Sequence, residues 1–111
     1  MAEKDPYKYF RVEAAELVEQ LGQGALAIDK GAALAEGVAA MLRHAHTLKG
    51  AARVVKQLEI AEHAHAIEDV LSPHRGRGEA MPRECAVPVF ASIDAISALL
   101  SQLGAPATAA A

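Results

Sequence analysis

An all-α fold, an up-and-down antiparallel four-helix bundle, is what the sequence predicts. Three observations lead there. Apolar residues recur at helical spacing in four separate segments. The breaks between the segments are short and built from Gly, Pro and polar residues. No segment alternates with period two, and there is neither an Asn-Gly hairpin turn nor an internal repeat. Short connections between amphipathic helices favour antiparallel neighbours.

The first helix is expected to open near Asp5-Pro6, with Asp5 as N-cap and proline at the first helical position. Phe10, Ala14, Leu17 and Leu21 form its stripe, and Ala25, Leu26 and Ile28 extend it through Gly22 and Gly24. Asp29-Lys30-Gly31 makes a turn. The second helix spans about 32–55. Leu34, Val38, Met41, Ala45, Leu48, Ala52 and Val55 share one face at about 100° per residue. The third spans about 58–71, with Ile60, Ala64, Ile67 and Leu71 inward. Ser72-Pro73 begins its end, and His74 to Gly78 reads as a polar loop. The fourth starts near Pro82 or Arg83, with a start or kink at Pro88. Its stripe is Val89, Ile93, Ile96, Leu100 and Leu103, and Gly104 stops it.

A chain of 111 residues argues for one domain. Residues 1–104 are assigned to the bundle and 105–111 to the start of an Ala/Pro-rich linker, as expected of the first module of a longer protein. Aromatics make up only 4%, which favours close helix packing through alanine. A net charge of −3 disfavours binding to nucleic acid or an acidic membrane. No apolar run is expected to approach the roughly 20 residues of a membrane span, and the start lacks a signal peptide's apolar segment. The single cysteine, Cys85, cannot form an internal disulfide. It fits a reducing, cytoplasmic setting and reads as a small packing residue.

The most informative stretch is Ala45-His-Thr-Leu-Lys-Gly50. His46 projects about 130° from the centre of its helix's apolar face. It is therefore expected to be exposed, with Arg43, Lys49, Gly50 and Arg53 on its side of the helix. A helical side chain normally covers the residue one turn before it. Gly50 has nothing to cover with, so the ring stays open to a partner, although glycine costs about 1 kcal/mol in a helix. Histidine is mostly neutral at pH 7, which leaves one ring nitrogen free to attack. An acceptor on the other nitrogen fixes the tautomer and sharpens the nucleophile, and Lys49 can neutralise a transferring phosphoryl group. Glu68 lies about 55° from the centre of the third helix's apolar face, at the core edge, with His65 one turn earlier on the same flank. If the two helices are antiparallel neighbours, Glu68 reaches the level of His46.

These residues resemble the histidine-containing phosphotransfer (HPt) domain at the N-terminus of CheA-type chemotaxis histidine kinases. The match is H-T-L-K-G at His46 to Gly50 and H-A-I-E at His65 to Glu68, at the family's spacing, with a similar first helix from Phe10 to Leu17. The resemblance covers about residues 6–103. It implies that His46 is phosphorylated by a separate ATP-binding kinase domain, in the same protein or its dimer partner. His46 then passes the group to an aspartate of a CheY-like response regulator. It further implies that Glu68 hydrogen-bonds the second ring nitrogen, and that Lys49 and His65 complete the polar site. Arg43, Gly50 and Arg53 are expected to meet the partner. No cofactor is implied here: ATP and Mg²⁺ belong to the kinase domain, and Mg²⁺ also to the regulator. One departure is Arg53-Val-Val-Lys56, where the family often has glycine in the turn.

Two other readings fit fewer of these residues. Glu62-x-x-His65 has the spacing of di-iron bundles, but no second copy exists, and His63 and His65 diverge on a helix. A plain helical interaction domain is the third reading. His44 is expected at a boundary, and His63 and His74 on the surface.

Overall fold

The structure is a computed structural model and describes residues 5–104. The stretch assigned to the linker, 105–111, lies outside these. Among the described residues there are four α-helices and no strand. They are α1 (Lys8–Asp29), α2 (Ala35–Val54), α3 (Leu58–Leu71) and α4 (Ala86–Gly104), with 3-10 turns at Ser72–His74 and Arg83–Cys85. Each helix packs on two others: α2 on α1 and α3, and α4 on α1 and α3. Together they close around one core.

The core follows the predicted stripes. Phe10, Ala14, Leu21, Ala25 and Ile28 of α1 are buried, as are Val38, Met41, Ala45, Leu48 and Ala52 of α2. So are Ile60, Ala64, Ile67 and Leu71 of α3 and Val89, Ile93 and Ile96 of α4. Leu100 and Leu103 are only half-buried. Two expectations fail. Leu26 is 49% exposed, because it sits about 100° around the helix from Ala25. Leu34 is 56% exposed, because it precedes α2 with an extended backbone and does not share the helical phase.

The start of α1 is also corrected. Its N-cap is Tyr7, not Asp5. The Tyr7 N–H donates to Asp5 Oδ1 (2.9 Å) and the Lys8 N–H to the Asp5 carbonyl (3.2 Å), so a separate turn precedes the helix. Arg11 then pairs with Asp5 at 2.7 Å. α1 runs through Gly22 and Gly24. At Gly24 a Cβ would lie 2.5 Å from Met41 Cγ, so the glycine makes room on α1 for the Met41 side chain of α2.

Helix ends explain the connections. After α1, Gly31 adopts φ +73°, and the Gly31 and Ala32 N–H groups donate to the Ile28 and Ala27 carbonyls. After α2, Lys56 adopts φ +61° and repeats the motif: Lys56 N–H donates to the Arg53 carbonyl (3.0 Å) and Gln57 N–H to the Ala52 carbonyl (2.8 Å). The turn that departs from the family pattern therefore has the geometry glycine serves, with lysine carrying the strain. α4 begins at Ala86, after the 3-10 turn at the expected Arg83 start. Pro88 falls in its first turn, where N–H groups have no intrahelical partner.

Contacts between connections tie the ends together. Arg83 Nε donates to the Asp29 carbonyl (2.7 Å) and Met81 N–H to the Ala33 carbonyl (2.9 Å). At the other end Gln57 Nε2 donates to Tyr7 Oη (3.3 Å). By length and mean hydropathy (1.5), Arg83–Leu103 is apolar enough to cross a membrane, contrary to expectation. Its alanines and isoleucines are interrupted by Ser92, Asp94, Ser97 and Ser101, and one face packs on α1 and α3.

Candidate phosphotransfer site

His46 stands on the outward side of α2 because Ala45 and Leu48 take the inward positions. Its side chain is 74% exposed. One turn on, Gly50 is exposed, and a Cβ there would meet nothing within 4 Å. The ring is therefore uncovered, as the sequence predicts.

From α3, Glu68 reaches the same level. Its Oε2 lies 3.2 Å from His46 Nδ1, and its Oε1 lies 2.6 Å from Lys49 Nζ. The Glu68 and Lys49 side chains are each only 15% exposed, and Oε1 itself is closed off from solvent, so the Lys49 ammonium is its counter-charge. Burial pushes the Glu68 carboxyl upward. The Lys49 ammonium and the contact with His46 outweigh that and hold it below the ordinary value of 4.5. Glu68 is thus an ionised, acceptor-only group. An ionised carboxylate can only accept, so the contact calls for a proton on His46 Nδ1, and in the neutral tautomer that satisfies it Nε2 carries the lone pair. Three residues from two helices thereby meet at an exposed imidazole.

The Hpt domain family model matches residues 7–106. The chain belongs to the Hpt domain family. It is also 34% identical over 93 residues to the Chemotaxis protein CheA of Treponema pallidum (strain Nichols), a match covering 84% of this chain and 12% of that protein. The chain thus spans about an eighth of that relative's length. No solved structure matches it.

In this Hpt domain the predicted residues separate into those brought together and those not. His46, Glu68 and Lys49 form one unit. Within it Lys49 is tied to the Glu68 carboxylate. His65 is not joined to them: its Nε2 lies 3.5 Å from Asp69 Oδ1, one turn along α3. It lines a different groove, with Arg53, Leu58 and Glu62. Its position three residues before Glu68 shifts it about 4.5 Å toward the α2–α3 turn. Arg43 shares the groove of His46, whereas Arg53 lies beside His65. His44 is at a boundary, as expected. His63 and His74 are half-buried, not on the surface, and His74 Nε2 is 3.8 Å from Cys85 Sγ. Burial and the charge of Glu84 push the Cys85 thiol upward, which fits a packing role.

Arg75 was missed by sequence reasoning. It lies in the loop after α3, yet it lines the His46 groove with Ala39, Leu42, Arg43 and Thr47. Nothing in its loop sequence signals this, because its position depends on the 3-10 turn that follows α3. Among the described residues no group of three His, Cys, Asp or Glu side chains is placed to hold a metal.

Proposed function

We propose that this Hpt domain serves a cytoplasmic chemosensory kinase and that His46 is its phosphoryl acceptor and donor. The observation that carries the reading is the uncovered His46 ring, with Nδ1 held by an ionised Glu68 that is held in turn by Lys49. The free Nε2 attacks the γ-phosphorus of ATP bound to a separate kinase domain, and the bond to the ADP oxygen breaks. Positive charge developing on the ring is offset by Glu68. An aspartate oxygen of a CheY-like response regulator then attacks the phosphorus, and the P–N bond electrons return to Nε2. ATP and Mg²⁺ belong to the kinase domain, Mg²⁺ also to the regulator, and this domain turns nothing over by itself. The similarity to a chemotaxis protein supports the placement in chemosensory signalling.

The scaffold is read as an up-and-down antiparallel bundle. Supporting this, the α1–α2 and α3–α4 connections touch at one end (Met81 to Ala33), and the α2–α3 turn meets the start of α1 at the other (Gln57 to Tyr7). The test is incubation with a CheA-type kinase domain, Mg²⁺ and radiolabelled ATP. Acid-labile, base-stable label that disappears in His46→Gln supports the reading. Label that persists in His46→Gln refutes it.

A further inference from the structure

The His46 groove carries more positive charge than its internal contacts use. Arg43 enters from α2 and Arg75 from the loop after α3. Among the described residues neither guanidinium has a carboxylate partner, whereas the Lys49 ammonium is neutralised by Glu68. Two cations without a carboxylate partner give the groove a positive potential that favours an anion. The guanidinium fork matches the oxygens of a phosphate, and the exposed Thr47 hydroxyl adds a donor on the same wall. Ala39 and Leu42 are apolar, and the one carboxylate in the lining, Glu68, is already engaged by Lys49 and His46.

We propose that Arg43 and Arg75 form a cradle for the phosphoryl group carried on His46. This rests on His46 being the phosphorylated residue. The charge that Lys49 was expected to supply comes instead from two arginines, one of them on the connection between α3 and α4. The charged groups around the phosphoryl group are then Arg43 and Lys49 of α2, Glu68 of α3, and Arg75. His65 and Asp69 pair with each other on the exposed side of α3.

The test uses phosphoramidate, a small donor that needs no kinase. His46 Nε2 attacks its phosphorus, the P–N bond to the leaving group breaks, and ammonia departs. Phosphorus NMR then follows the phosphohistidine resonance against pH in the wild-type chain, Arg43→Gln, Arg75→Gln and Arg77→Gln. Arg77 is exposed in the same loop and does not line the groove, so it controls for net charge. The expected result is that Arg43→Gln and Arg75→Gln each raise the phosphoryl pKa by about 0.5 unit, while Arg77→Gln leaves it in place. Wild-type titration in both groove variants, or an equal shift in Arg77→Gln, overturns the cradle and leaves His46 as the acceptor. Absence of any phosphohistidine resonance that His46→Gln removes overturns the functional reading and the cradle with it. Should one variant fail to fold by circular dichroism, the other carries the same comparison.

Discussion

Replacing Glu68 by alanine separates orientation of the ring from its mere exposure. The substitution removes one acceptor, 3.2 Å from His46 Nδ1, and one counter-charge, 2.6 Å from Lys49 Nζ. A hydrogen bond to a charged acceptor contributes about 1.5–3 kcal/mol when sheltered. Here the ring is 74% exposed, so water screens the contact and about 1 kcal/mol is the reasonable figure. At about 1.4 kcal/mol per factor of ten, phosphorylation of Glu68→Ala should slow about fivefold. The loss at Lys49 falls on stability instead. An ammonium only 15% exposed loses its partner, at a cost of about 1–2 kcal/mol that relocation of the flexible side chain limits. Initial rates of label incorporation from ATP, beside thermal melts, measure both effects. Glu68→Gln should fall between wild type and Glu68→Ala in rate, because its amide oxygen still accepts from Nδ1. A folded Glu68→Ala that is phosphorylated at the wild-type rate refutes the orienting role.

Other outcomes follow from the same contacts. Glu68 has a lower pKa folded than its ordinary 4.5. Its stabilisation is therefore complete above 4.5 and is lost as pH falls through the lower folded value; urea melts of wild type and Glu68→Gln should converge as pH is lowered below 4.5 and through that value, and curves that stay parallel would contradict this. Lys56→Gly removes the strain of φ +61° and should stabilise by about 1 kcal/mol, raising Tm by roughly 5 °C; a lowered Tm would count against the left-handed cap. Gly22→Ala meets no atom within 4 Å and should stabilise by up to about 1 kcal/mol, whereas Gly24→Ala strikes the buried Met41 and should destabilise by about 1–3 kcal/mol; thermal melts that rank them the other way would sink the packing argument. Gly50→Leu should leave phosphorylation by phosphoramidate unchanged but slow transfer to a response regulator, and equal transfer rates would show that the open ring face is not the docking face.

The sequence made the four helices legible because their stripes are long and periodic. The range of α3 was read to the residue, and Gly31 fixed the end of α1. What it left hidden depends on tertiary contacts. Met81 lies outside every helical stripe and is buried because the α3–α4 connection docks on Ala33. Asp5 has the chemistry of an N-cap but accepts from the Tyr7 N–H, two residues before the helix's actual cap. In the site, the exposure of His46 and the reach of Glu68 followed from helical angles alone. Helical angles do not say which of two neighbours a flexible cation will choose, so Lys49 was assigned to the phosphoryl group and found on Glu68. His65 was grouped with Glu68 by flank, and the rise along α3 then took it into another groove. Arg75 had no periodicity to place it.

The central claim is that the Glu68–Lys49 pair presents His46 with Nδ1 protonated and Nε2 free. Long-range ¹⁵N–¹H correlation NMR on the phosphorylated chain reads this directly, since the bonded nitrogen is identified by its shift and couplings. Phosphorus on Nε2 of His46, with the proton retained on Nδ1, is the predicted result. Phosphorus on Nδ1, or on any of the other four histidines, contradicts it.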